Sequence, residues 1–198
     1  RSKEHLDNVL VATDDQRIKK VVEAFGGKVA MTSTDHINGT SRCYEAYLQM
    51  KSQGHRYNTI VNIQADEPLL DRDHIHLLCD AISDRNAQIA TIAHKSFRRQ
   101  SLSEKEGVFV VFTKSHKALY FSRYPIPFIR QDTQALPSNQ QHIYKHIGLY
   151  AFKSEVFEYL QTLQSSRLEL SESLEQNRWL ENDLSINVAI TEKKSYPM

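Results

Sequence analysis

The sequence predicts an α/β domain: a mostly parallel sheet flanked by helices, with a mixed or antiparallel extension. Three observations predict it. Short apolar runs alternate with stretches of helical spacing as far as Ala93, the pattern of strands joined by crossover helices. From about Val108 the rhythm changes to closely spaced short strands. A chain of 198 residues, 40% of them apolar, suffices for one core without a disulfide staple, so residues 1–198 are expected to form a single domain.

Taken in order, Val9-Leu10-Val11-Ala12 is a strand ending at Thr13-Asp14-Asp15, and Ile18, Val21, Val22 and Phe25 give residues 17–25 a helical stripe. Gly26-Gly27 stops that helix where a residue without a Cβ is favoured, and Lys28-Val29-Ala30-Met31 starts the next strand. A polar loop over 32–40 leads to a helix over 41–51 and to the strand Thr59-Ile60-Val61-Asn62-Ile63, which Pro68 keeps from simply continuing. Asp71 or Asp73 is placed to cap a helix over 74–83 with the stripe Ile75, Leu78, Cys79, Ile82, before a strand over 88–93. Strands over 108–113, 118–122 and 147–152 follow, then helices over 155–163 and 171–181 and a strand over 185–191. The polar stretch 131–141 reads as a mobile loop, and the portion around 108–152 as a place for an oligomer contact. A charged scrap before the first strand, and no element after the last, lead us to expect further native segments at both ends.

Charge and cysteine content narrow the classes of partner. Lys plus Arg at 25 against Asp plus Glu at 24 offers no global attraction for nucleic acid or an anionic membrane, so an anionic ligand must be held by local chemistry. No apolar run approaches the ~18 residues of a bilayer span, and no signal-peptide core follows the N-terminus. Cys43 and Cys79 lack metal or redox spacing and read as free thiols of a reducing cytosol.

In a parallel sheet, ligands bind beyond the carboxyl ends of the strands, which points to the loops after Ala12 and Ile63. Asp66 follows the second of these strands, where a carboxylate can bind Mg²⁺ through oxygen or simply cap a backbone N–H. Asp14 and Asp15 are equally readable as a solvated turn or helix cap. Asn38-Gly39-Thr40-Ser41-Arg42 offers backbone N–H groups, hydroxyls and a guanidinium to a nucleotide, or is an ordinary loop capped by Ser41. His146, Gly148 and Tyr150 share a strand face by their period of two, and Arg123 follows an earlier strand. Together they suit an anionic polar substrate, the plain alternative being a core histidine and a packing tyrosine. Glu172 shares a helical face with Glu175 or Gln176, a cluster that elsewhere is mostly a solvated surface. No Ser/His/Asp nucleophile signature, Walker loop or zinc spacing is present in the sequence.

In combination these segments resemble the 3-deoxy-manno-octulosonate cytidylyltransferase (CMP-Kdo synthetase) family over nearly the whole chain. The resemblance rests on the order and spacing of Val11-Ala12-Thr13-Asp14-Asp15, Phe25-Gly26-Gly27-Lys28-Val29, Gln64-Ala65-Asp66-Glu67-Pro68, Leu119-Tyr120-Phe121-Ser122-Arg123, Lys145-His146-Ile147-Gly148-Leu149-Tyr150 and Ser173-Leu174-Glu175-Gln176. It implies a nucleotide-sugar-transferase fold, a cytoplasmic homodimer and Mg²⁺-dependent transfer of CMP from CTP to Kdo for lipopolysaccharide synthesis. It further implies that Asp66 ligates Mg²⁺ and, with Arg123, serves catalysis; that Gly39, Thr40, Arg42 and Gln64 surround CTP; and that Arg123, His146, Tyr150, Glu175 and Gln176 hold the sugar acid. The family's Gly/Arg/Lys-bearing phosphate loop and a later metal-binding Asp would lie outside residues 1–198. Departures from the family pattern fall at Ser41 (usually acidic), Ala65 (usually Gly), Asn177 (usually Leu) and the strand around Phe109, which usually carries a Lys. The rival expectations are a cytidylyltransferase for another acid sugar and a catalytically silent dimerising relative.

Overall fold

The structure, a computed structural model, describes residues 6–65, 70–97, 107–128 and 142–193. Strands β1 (Leu10–Thr13), β2 (Lys28–Met31), β3 (Thr59–Ile63) and β4 (Ile89–Phe97) alternate with helices α1 (Gln16–Ala24), α2 (Gly39–Ser52) and α3 (Arg72–Ser83), as the periodicity predicts. Beyond them come β5 (Phe109–Phe112), β6 (Ala118–Ser122), β7 (His142–Lys153), α4 (Ser154–Leu160), α5 (Arg167–Glu172), α6 (Glu175–Glu181) and β8 (Ile186–Thr191). The stretch expected to be a mobile loop, 131–141, lies outside the described residues, as does Asp66.

Local chemistry sets the helix limits. Asp15 caps α1 by accepting from the Arg17 N–H at 2.7 Å, and Asp71, rather than Asp73, caps α3. At the end of α1, Gly26 takes φ +77°, while a Cβ on Gly27 would stand 2.5 Å from Val22 Cγ1. Of the apolar stripe on α1, only Val22 is buried; Ile18, Val21 and Phe25 are exposed.

The sheet is mixed rather than mostly parallel. β1 with β2 and β4 with β8 run parallel, but β7 is antiparallel to β3, β4 and β5, and β5 to β6. The order is β6-β5-β7-β4-β8, with β3 also on β7. Residues 149–153 of β7 pair with β3 and, from 150, with β4, so β7 stands between them. The antiparallel portion is thus the middle of the sheet and not an extension of it. The reason is that apolar runs fix where strands occur, whereas partner order depends on contacts far apart in sequence.

Alternation along β7 divides the core. Tyr150 and Phe152 join Phe121, Phe157 and Trp179 beneath α2, α4 and α6, while Leu149 and Ala151 join Leu78 and Ile82 beneath α3. Each fully buried Leu, Ile or Phe contributes about 1.5–3 kcal/mol, so both faces of β7 anchor it in place.

One expected helix is two. Residues 171–181 contain the end of α5, a left-handed Ser173 at φ 52°, and the start of α6. Glu172 and Glu175 therefore do not share a helical face. They flank a break that turns them to different partners.

Candidate functional site

At the ends of β1 and β2, Arg42 ties two loops together. Its Nη1 donates to Thr32 Oγ1 at 2.8 Å and to the Ser33 carbonyl at 3.2 Å, and its Nη2 to Asp14 at 3.3 Å. Asn38 caps α2 by accepting from the Ser41 N–H at 2.8 Å, so the expected cap is Asn38 and not Ser41. His36 lies 3.2 Å from Ser41 Oγ and 2.5 Å from Glu45, which also accepts from the Ser33 N–H and titrates lower because of these two contacts, His36 first. This Ser, His and Glu contact is a loop brace: the Ser41 hydroxyl donates to the Asn38 carbonyl at 3.0 Å, leaving it an acceptor toward His36 rather than a nucleophile facing a base.

One turn deeper, α2 meets α6. Buried Thr40 donates to Glu175 Oε1 at 2.5 Å and accepts from Asn62 Nδ2 at 3.2 Å. Burial raises the Glu175 pKa, opposed by the Thr40 hydrogen bond and the Arg178 charge, and Glu175 Oε2 is buried with no partner among the described residues. Asn62 stands opposite Tyr150 in the β3–β7 ladder, and burial, followed by the Glu175 charge, pushes the Tyr150 phenol upward. Gln64 fills the space between two glycines: a Cβ on Gly39 would lie 4.0 Å from its Cγ, and one on Gly148 3.6 Å from its Oε1. Gln176 is buried beside Glu175 in the first turn of α6.

A break in register completes this cluster. Thr91 of β4 faces Tyr150, but its neighbour Ile92 faces Ile147, so Gly148 and Leu149 bulge out of the ladder. In an unbroken strand, residues four apart are separated by about 13 Å. Here the His146 and Tyr150 rings are 5.3 Å apart. The Thr91 hydroxyl fills the bulge, donating to the Leu149 carbonyl at 2.7 Å, so it serves as acceptor for His146 Nε2 at 2.9 Å. Burial pulls the imidazole pKa down to about 3. The ring is neutral, with its proton on Nε2 and Nδ1 an acceptor.

Phe121 of β6 packs edge-on against His146 at 5.1 Å, and two residues further on is Arg123. This exposed guanidinium donates from Nε to the Glu172 carbonyl at 2.7 Å and from Nη2 to that of Ser173 at 3.1 Å. The Glu172 carboxylate accepts from Tyr120 Oη at 3.1 Å, Ser122 Oγ at 2.8 Å and the Arg123 N–H at 2.9 Å. It is the hub of the β6 exit and not part of a solvated face. Asn177, where the family pattern has Leu, is buried and grips Phe121: its Nδ2 donates to the carbonyl at 3.0 Å and its Oδ1 accepts from the N–H at 3.2 Å.

Of the predicted site residues, Gly39, Thr40, Gln64, His146, Tyr150, Glu175 and Gln176 thus come together, with Arg123 at their edge just after β6. Arg42 is spent on the β1 and β2 loops. Asp66 lies outside the described residues, among which no group of three or more His, Cys, Asp or Glu is placed to hold a metal ion. Sequence reasoning missed Asn62 and Thr91 and undervalued Glu172. The available signal was the polar residue amid the apolar strands Thr59–Ile63 and Ile89–Ala93.

The family model for cytidylyltransferases matches residues 1–188. A 3-deoxy-manno-octulosonate cytidylyltransferase of Parabacteroides distasonis is 48% identical over 98% of this chain and 77% of its own length. One from Thermodesulfovibrio yellowstonii is 41% identical over 99% and 78%. A solved structure of CMP:2-keto-3-deoxy-manno-octonic acid synthetase complexed with CTP superposes with a TM-score of 0.83 at 33% identity, covering 96% of this chain and 74% of that one. A nucleoside-diphosphate-sugar pyrophosphorylase from Vibrio cholerae, at 12% identity and a TM-score of 0.57, shares the fold alone. No described helix is long and apolar enough to cross a membrane. By sequence over nearly its whole length, and by fold, the chain belongs to the cytidylyltransferase family, among the 3-deoxy-manno-octulosonate cytidylyltransferases.

Proposed function

We propose that this chain transfers CMP from CTP to 3-deoxy-manno-octulosonate with release of pyrophosphate, a step toward lipopolysaccharide, in the cytoplasm and as a homodimer. The observation that carries this reading is the likeness, over nearly the whole chain, to 3-deoxy-manno-octulosonate cytidylyltransferases and to a synthetase structure complexed with CTP; within the site, the hydrogen-bonded path from Asn62 through Thr40 to Glu175 joins the start of α2 to the start of α6. In our reading Gly39, Thr40 and Gln64 line the nucleotide side of this path, while His146, Tyr150, Glu175, Gln176 and Arg123 line the sugar side. Arg42 acts on the nucleotide side by holding the loops at Asp14 and Thr32.

The reaction forms a bond from the sugar's anomeric oxygen to the α-phosphorus and breaks the bond from that phosphorus to the bridging oxygen. The electron pair leaves with pyrophosphate, and the hydroxyl proton passes to solvent. Little covalent work falls to the protein, so catalysis comes from positioning and electrostatics. Arg123 pairs the sugar carboxylate. Neutral His146 accepts a sugar hydroxyl at Nδ1, since Thr91 holds its other nitrogen. Mg²⁺, with Asp66 as an oxygen ligand, would offset phosphate charge when bound; its support is the family resemblance.

The test is pyrophosphate release from CTP and Mg²⁺ by the full-length protein, with Kdo and N-acetylneuraminate offered separately. Release with Kdo alone supports the proposal. Release with N-acetylneuraminate alone moves the substrate, and none with either favours a silent relative. Asp66→Asn is expected to abolish turnover while leaving the circular dichroism unchanged; near-normal turnover removes Asp66 from the metal role.

A further inference from the structure

The β6 exit contains a carboxylate to which the proposed chemistry assigns no contact with substrate. Glu172 ends α5, and its side chain accepts hydrogen bonds from three donors on or just after β6: Tyr120 Oη, Ser122 Oγ and the Arg123 backbone N–H. Its own carbonyl and that of Ser173 then take the Nε and Nη2 protons of the Arg123 side chain. Glu172 thus fixes the backbone of Arg123 through its carboxylate and, together with Ser173, the guanidinium through main-chain carbonyls. A guanidinium has five N–H donors in a rigid fork, and fixing Nε and one Nη2 proton sets the plane in which the others are offered.

We infer that Glu172 is a positioning residue that aims Arg123 at the carboxylate of the acid sugar. This inference rests on the proposed pairing of Arg123 with that carboxylate. Several independent features support it. The left-handed turn at Ser173 breaks the α5–α6 path, sends Glu172 to β6 and Glu175 to Thr40, and lays two carbonyl oxygens against the guanidinium. Asn177 holds Phe121, two residues before Arg123, by both of its backbone groups, which pins the strand that leads into Arg123. Burial acts to raise the Glu172 pKa, yet the bonds from Arg123, Ser122 and Tyr120 outweigh it and the carboxyl titrates below its ordinary range, so the acceptor stays ionised at neutral pH. The side chain is only partly buried, and an exposed ion pair alone would contribute little; its value here lies in geometry.

The experiment is a double-mutant cycle in the full-length protein, following pyrophosphate release with Kdo and CTP varied in turn. Glu172→Gln retains the shape but cannot accept from all three donors. It is expected to raise KM for the sugar acid about tenfold while KM for CTP stays within about twofold, the loss of one well-aimed charged contact. Arg123→Ala should raise the same KM by more, and the double variant should match Arg123→Ala, because residues acting through one contact are not additive. Glu172→Asp should recover part of the loss. If Arg123→Ala leaves the sugar KM unchanged, the pairing itself fails. If Arg123→Ala raises it but Glu172→Gln does not, or if the two effects multiply, Glu172 does not act through Arg123 and the inference is overturned. A loss confined to melting temperature and active fraction, with both KM values unchanged, or failure of both Glu172 variants to fold, would assign Glu172 to the fold alone and overturn it equally.

Discussion

Replacing Thr40 with Val tests the hydrogen-bonded path that joins α2 to α6. The two side chains are nearly the same shape, so the perturbation is the loss of one hydroxyl. Thr40 is 3% exposed, and no room is made for water to take its place. Two bonds go: the 2.5 Å bond to Glu175, and the 3.2 Å bond from Asn62, whose amide is left buried and one partner short. A hydrogen bond to a charged group contributes about 1.5–3 kcal/mol, and a stranded buried donor costs about 1–3 kcal/mol. The methyl gained returns about 0.8 kcal/mol. A net loss of about 2 kcal/mol follows at the lower end of these ranges, or a fall in Tm of about 4–8 °C for a domain of this size. Thermal unfolding by circular dichroism at pH 8 measures it, with Thr40→Ser, which keeps the hydroxyl, as the control. The pH dependence has a definite sign. Glu175 already titrates above its ordinary value in the folded state, so folding is penalised as pH rises from 4.5 through the raised value. The Thr40 bond opposes that shift, and removing it enlarges the penalty. The Thr40→Val deficit should therefore be larger at pH 8 than at pH 4.5. A variant as stable as Thr40→Ser at pH 8, or a deficit that shrinks as pH rises, refutes the reasoning.

Three further outcomes are expected. Thr91→Val removes the acceptor for His146 Nε2 and should weaken Kdo binding about tenfold, with the ¹⁵N shifts of the imidazole changing from the Nε2–H tautomer to a mixture. Gly27→Ala places a Cβ 2.5 Å from Val22 Cγ1 and should cost about 1–3 kcal/mol in urea unfolding; an unchanged midpoint would mean that the turn after α1 yields freely. Burial, followed by the Glu175 charge, pushes the half-buried Cys43 thiol up to about 12, so iodoacetamide at pH 8 should label it far more slowly in the folded protein than in urea, and equal rates would contradict that shift.

Much of the element order was legible in the sequence, because apolar runs and helical stripes report burial locally: α1, α2, α3 and β8 fall within two residues of their expected limits. What escaped depends on distant partners. β7 sits between β3 and β4 because of side chains more than 50 residues away, and nothing within 142–153 announces its direction. The break at Ser173 was invisible because serine carries no mark of a left-handed backbone, and it misplaced Glu172 against Glu175. The candidate site divides the same way. Gly39, Thr40, Gln64, His146, Tyr150, Glu175 and Gln176 were found through the family resemblance, whereas Asn62 and Thr91 became visible only when β3, β7 and β4 were laid side by side.

The amide of Asn177 has a consequence for how copies of this chain can meet. Among the described residues β6 is the last strand at its end of the sheet, and an open strand edge invites another chain to continue the ladder, the route to filaments. Asn177 occupies that edge at Phe121 as a short counterfeit strand, donating and accepting where a neighbour's peptide would. A strand arriving at Phe121 finds its backbone groups already answered, with the exposed side chains of Leu119, Tyr124 and Phe128 nearby in the chain. Strand addition, and with it open-ended stacking, is thereby disfavoured at this point of the edge.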